Sequence, residues 1–133
     1  MRPETAEWVD KAENDFRAMC REGMVTDSPS YDVVCFLAQQ CAEKYLKALL
    51  TEADIPFAKT HDLSLLSRLL PGTSCYPGLT EMLARLGPCA VEFRYPGASA
   101  DRALADDAAE DAREVRAWAR KSLSLEEMSK SKN

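Results

Sequence analysis

Four residues, Gln40, Glu43, Lys44 and Lys47, stand within eight positions of one another in the run FLAQQCAEKYLKALL, residues 36–50. At 100° per residue they share one stripe of a helix, with Phe36 above them. Amide and ammonium groups gathered this way present hydrogen-bond donors to a phosphate or to the edge of a base. A second group follows at Lys59-Thr60-His61-Asp62-Leu63. His61 is the single imidazole of the chain, so any acid–base chemistry by histidine must use it. The third is Arg94-Tyr95-Pro96, in which a guanidinium can grip a phosphate bidentately while the neighbouring ring stacks on a base.

Each group also has a purely structural account. Glu43 and Lys47 form an i,i+4 pair in the favoured order, which a solvated salt bridge explains without a ligand. His61 and Asp62 stand where a helix begins, and Thr60 or His61 can cap it. Arg94 closes a helix, where a cation neutralises the last carbonyls. The residues alone leave these readings beside the functional ones.

Composition narrows the chemistry further. The chain has 133 residues, a net charge of −5, 46% hydrophobic and 29% charged residues. That describes one globular domain, and it argues against a broad electrostatic footprint for nucleic acid while leaving room for a local basic patch. Cys20, Cys35, Cys41, Cys75 and Cys89 show no CxxC spacing, and with one histidine they do not suggest a zinc site or any other metal. No motif implies a cofactor: glycine-rich phosphate loops, GxSxG and HExxH are absent from the sequence. No apolar run is long enough to span a bilayer, and unpaired cysteines point to a reducing cytoplasm.

The elements that must position these groups are helical throughout. Trp8, Ala12, Phe16 and Met19 recur at helical spacing from about Pro3, with Gly23 as a stop. Ser28-Pro29-Ser30 opens a second helix that runs from Tyr31 to about Ala53, closed by Asp54 and Pro56. Its apolar face carries Val34, Leu37, Ala38, Cys41, Tyr45, Ala48 and Leu49. A short third helix turns Leu63, Leu66, Leu69 and Leu70 inward and ends at Pro71-Gly72. From Leu79 the positions Leu83, Leu86, Ala90 and Phe93 keep one phase through Gly87-Pro88, which predicts a kinked helix reaching Arg94-Tyr95. The last helix, from Ser99 or Asp101, buries Leu104, Ala108, Ala112, Val115 and Ala119, and the acids near its start and Arg116, Arg120 and Lys121 near its end complement its dipole. The expected fold is all-α, an up-and-down bundle of four main helices plus a short one over residues 1–125, with a flexible tail at 126–133.

The run Gln40-x-x-Glu43-Lys44 with Lys47-Ala48, then Thr60-His61-Asp62-Leu63, then Arg94-Tyr95-Pro96, resembles the HEPN domain family over roughly residues 5 to 125. Trp8 to Ala18 is similar to the opening helix of that family. The resemblance implies a bundle of four to five helices that forms a homodimer, encoded beside a minimal nucleotidyltransferase in two-gene modules like toxin–antitoxin systems. Many members are metal-independent endoribonucleases, in which an arginine is followed four to six residues later by a histidine at the dimer cleft. Here no histidine follows Arg94, and the tyrosine that some toxin members carry after that pair is missing with it.

A nucleotide- or RNA-binding module is therefore the favoured expectation, with Gln40, Glu43, Lys44, Lys47, His61, Arg94 and Tyr95 as its ligand-binding residues and weak or no catalysis. The alternatives are a ribonuclease using Arg94 with His61 or another base, and a purely structural dimer. Phe36, Tyr95 and Trp118 either mark the dimer interface as exposed aromatics or belong to the core.

Overall fold

The computed structural model describes residues 1–72 and 76–125, and the expected tail at 126–133 lies outside them. Within them the chain forms five helices and no strand. These are α1 (Pro3–Gly23), α2 (Tyr31–Glu52), α3 (Leu63–Leu69), α4 (Leu79–Leu86) and α5 (Arg102–Ser122), with one 3-10 turn, Gly87–Ala90, after α4. Among the described residues no helix is long and apolar enough to cross a membrane.

Side-chain chemistry sets the helix starts. Ser30 accepts a hydrogen bond from the Val33 amide and Asp101 from the Leu104 amide, each satisfying a donor that the first turn leaves unpaired. At α3 the cap is Asp62, which accepts from Leu65, and neither Thr60 nor His61 has that role. A carboxylate at that place reaches the free amides of the first turn and carries the charge that the helix dipole favours. The Thr60 hydroxyl accepts from the Asp62 amide, and His61 is released for another contact.

Helix α2 is the hub and packs against every other helix. Its pairings with α1 run in opposite senses along the two helices (Lys47 over Trp8, Tyr45 on Glu13, Lys44 on Asp15), so the two are antiparallel. With α5 they run in the same sense, Asp32 accepting from the Ala100 amide and Tyr45 meeting Arg120. A bidentate Arg85–Asp111 pair ties α4 to α5, and Tyr76, just before α4, packs on Trp118 further along α5, so the two run antiparallel. Tyr45, Leu46, Leu50, Leu63, Leu66, Leu83, Leu86 and Val115 fill the space between them.

Three expectations need correction. Helix α4 stops at Leu86 and does not reach Arg94, because Pro88 has no amide to donate and its ring clashes with the preceding turn. Leu83, Leu86 and Ala90 stay buried all the same, so the apolar phase survives while the hydrogen-bond pattern tightens to a 3-10 turn. Leu69 is exposed, since the chain turns extended at Leu70 and sends that side chain inward in its place. In α5 the first buried position is Ala105; Leu104 falls at the margin of the packed face and stays exposed.

Candidate functional site

The outer stripe of α2 carries Phe36, Gln40, Glu43 and Lys47, spaced at four, three and four residues. Glu43 is its centre. Its side chain is only 4% exposed, yet its carboxylate is met on every side. Lys47 Nζ lies 3.0 Å from Oε2, His61 Nδ1 3.0 Å from Oε1, and Gln39 Nε2 3.3 Å from Oε1. Gln40 reaches it more weakly at 3.5 Å and donates to Gln39 at 2.7 Å. The expected solvated Glu43–Lys47 salt bridge is therefore a buried one, which needs these further donors to offset the cost of taking a carboxylate from water.

Neighbouring elements lock the pair in place. Trp8 of α1 puts its ring 5.3 Å from Lys47 Nζ and packs on Phe57, which closes the lower end of the stripe. Gln39, fully buried, also donates to the His61 carbonyl at 3.1 Å and so ties the loop before α3 to α2. The result is an imidazole fixed through Nδ1 while its body is 76% exposed. A ring held that way turns Nε2 outward, the arrangement by which a carboxylate sets the tautomer and direction of a histidine.

Arg94 lies further up the same stripe. The 3-10 turn brings it back over α2, where its guanidinium stands 5.7 Å from the centre of the Phe36 ring. The Asp32–Ala100 hydrogen bond ties down the loop that follows it. Asp32, Val33, Phe36, Cys89, Phe93 and Arg94 line a cavity of about 350 Å³ there. Seven residues of helix separate Phe36 from Glu43, about 10.5 Å at 1.5 Å per residue, so Arg94 and His61 face the same side about two turns apart.

The structure thus gathers Gln40, Glu43, Lys47 and His61 into one cluster and sets Arg94 above it. Lys44 does not join them: it turns toward α1 and pairs with Asp15. Tyr95 stands 68% exposed beyond Arg94. Of the other aromatics expected at an interface, Phe36 is half-buried beneath Arg94, and Trp118 is half-buried against Tyr76, with ring centres 5.4 Å apart.

Sequence reasoning missed a second charged centre in the core. Arg116 binds the Glu13 carboxylate bidentately at 2.7 and 2.9 Å, Arg120 approaches it at 3.7 Å, and the Tyr45 hydroxyl donates to it. Burial alone would raise the Glu13 carboxyl, but the hydrogen bonds from Arg116 and Tyr45 and the charges of both arginines outweigh it and hold the group below its ordinary value. Tyr45 is pushed up by burial and by the anion it serves. The signal was a tyrosine hydroxyl in an apolar stripe, which needs a partner once buried.

Comparison with known proteins gives one consistent result. A search of curated proteins finds no match. Two solved structures are similar over nearly their whole length. One is TT1696 from Thermus thermophilus, with a TM-score of 0.78 and 26% identity over 90% of this chain and 98% of that one. The other is ST0689, an archaeal HEPN homologue, with a TM-score of 0.73 and 25% identity over 92% and 98%. The family model of the HEPN domain matches residues 5–122, which include all but the first two residues of α1, the Glu43 cluster, Arg94 and all of α5. The chain belongs to the HEPN domain family.

Proposed function

We propose that the outer stripe of α2 and the turn above it hold a phosphate-bearing nucleotide or RNA end, in a binding module with little or no catalysis. The observation that carries this reading is Arg94: an exposed guanidinium seated on the Phe36 ring, paired with no carboxylate among the described residues. Such a group is oriented without being neutralised, as an anion-gripping arginine needs to be. His61 adds a second polar contact two turns along, and exposed Tyr95 offers a ring for a base. Lys47 and Gln40 support His61 through Glu43 instead of meeting ligand directly, and Lys44 is engaged by Asp15.

The test is fluorescence anisotropy with a labelled RNA oligomer and with a mononucleotide over a range of salt. Arg94→Ala should weaken binding about tenfold and lower the salt slope by about one phosphate contact. Absence of binding at low salt, or an Arg94→Ala curve identical to wild type, sinks the reading. The family setting belongs to the same proposal: a homodimer in the cytoplasm that docks a minimal nucleotidyltransferase. Sedimentation at twice the 14.8 kDa chain mass and co-purification with the enzyme on co-expression are its expected outcomes.

One observation favours ribonuclease activity as a second reading. A buried carboxylate that orients a histidine whose far nitrogen is open to solvent is suited to proton transfer. Metal-independent RNA cleavage that both His61→Ala and Arg94→Ala abolish would establish it, with Arg94 stabilising the negative charge on the phosphorane oxygens. Retention of cleavage in those variants, or its absence in wild type, removes it.

A further inference from the structure

The cavity bordered by Arg94 also carries a charge of the opposite sign. Asp32, in the first turn of α2, lines it together with Val33, Phe36, Phe93 and Arg94. One oxygen of its carboxylate accepts from the Ala100 amide at 2.7 Å. That bond accounts for Asp32 as a loop tether, but it uses only one of about four acceptor positions on an ionised carboxylate. No ion pair engages Asp32 among the described residues, and Arg94 likewise meets only the Phe36 ring. A carboxylate and a guanidinium thus border one cavity without neutralising each other, and between them lie two aromatic rings and the exposed side chain of Val33.

We propose that this cavity takes a guanine base, whose N–H edge is read by Asp32 while the phosphate of the same nucleotide rests on Arg94. The inference rests on the reading of Arg94 given above and names the ligand class of that site. At about 350 Å³ the space is at the small end of ligand pockets, which run from about 300 to 1,000 Å³, so it suits one flat heterocycle. Phe36, Phe93 and Val33 supply the apolar surface that an unstacked base covers.

The choice of base follows from the carboxylate. Asp32 can only accept, so the base must present donors to it. Guanine has the ring N–H and the exocyclic amino group side by side on its Watson–Crick edge, spaced to meet two carboxylate lone pairs at once. Adenine and cytosine place a ring acceptor beside their amino group, and that lone pair is repelled by the anion. Uracil has one ring N–H flanked by two carbonyl oxygens, which are repelled in the same way. A bidentate contact of this kind discriminates against the wrong base by about tenfold or more. Tyr95 stays outside the cavity lining and is left for the neighbouring nucleotide of an RNA.

The experiment titrates the full-length protein by calorimetry with guanosine, inosine, adenosine, cytidine and uridine monophosphates. Guanosine monophosphate should bind best, and the inosine compound, which lacks only the amino group, several-fold more weakly. The other three should be weaker by about tenfold. In Asp32→Asn the side-chain oxygen still accepts from the Ala100 amide, but its amino group faces the donors of guanine, so the preference should vanish. Arg94→Ala should weaken all five alike. Two RNA oligomers that differ only in a terminal guanosine or adenosine separate the sources: a preference shown by them assigns an RNA end, and one shown by the mononucleotides alone assigns a free nucleotide. Equal affinity for the guanosine and inosine compounds, or a guanine preference that survives in Asp32→Asn, overturns the proposal and leaves the phosphate-binding reading standing. No binding of any mononucleotide or oligomer overturns both. Circular dichroism reports whether Asp32→Asn folds; if it does not, the guanosine–inosine comparison on wild type decides alone.

Discussion

Two buried glutamates on facing helices meet opposite fates in this bundle. Glu13 of α1 is enclosed by Arg116, Arg120 and Tyr45, all contributed by the packed faces of α5 and α2. Glu43 of α2 is equally buried, but one of its partners is His61, a side chain 76% exposed. The first centre directs all its charge inward and so fixes how three helices sit together. The second passes the orienting effect of a buried anion out to the surface through one ring. Buried charge thus has two uses here, a lock and a mount, and what separates them is whether the last partner is open to solvent.

The comparison breaks most visibly at the lock. Glu13→Ala takes from Arg116 the carboxylate it grips at both oxygens, and the loss should be about 3–5 kcal/mol, read as a lowered denaturant midpoint at unchanged slope. Protonation should act in the same direction. Because the folded Glu13 carboxyl lies below its unfolded value of 4.5, its contribution is present above that pH and is lost as pH falls through the folded value. The stability gap between wild type and Glu13→Gln should therefore be widest near neutral pH and begin to narrow only as the pH falls below 4.5. A gap that is constant with pH would show that Glu13 acts by packing alone.

At the mount, Glu43→Gln should have a smaller effect, about 1–3 kcal/mol. Lys47 keeps its place over Trp8 and can turn its ammonium toward water, while Gln39 keeps its bond to the His61 carbonyl. The informative readout is His61: its Nδ1 loses a carboxylate partner, and NMR should report a mixture of tautomers where wild type shows one. A single unchanged tautomer would mean that the backbone, not Glu43, sets the ring.

How much of this was legible follows the same division. Periodic apolar residues gave the helix count and order because burial of one face dictates that spacing, and the family resemblance placed the Glu43 stripe, His61 and Arg94. Their depth was not legible. Glu43 and Lys47 look like any surface pair, and only Trp8 arriving from α1 and the loop at His61 bury them. Arg116 and Arg120 look like dipole partners because the sequence shows which end of a helix they occupy, not that Glu13 waits across the core. The end of α4 was missed for another reason: Leu83, Leu86 and Ala90 keep their phase through a change of helix type, so periodicity alone gave no warning.

The smallest expected change in stability is the most telling. His61→Ala removes a mostly exposed side chain, and its backbone carbonyl still accepts from Gln39, so stability should shift by no more than about 0.5 kcal/mol. RNA binding, in contrast, should fall several-fold if the ring is presented for a ligand. The double variant Glu43→Gln/His61→Ala then decides whether the two act as a unit. Should Glu43 affect ligand only by aiming the ring, its effect on binding vanishes once His61 is gone, and the binding energies of the single variants fail to add. Additive losses would place Glu43 in direct competition or contact with ligand. A large stability loss for His61→Ala alone would make the second centre a lock like the first, with its exposure incidental.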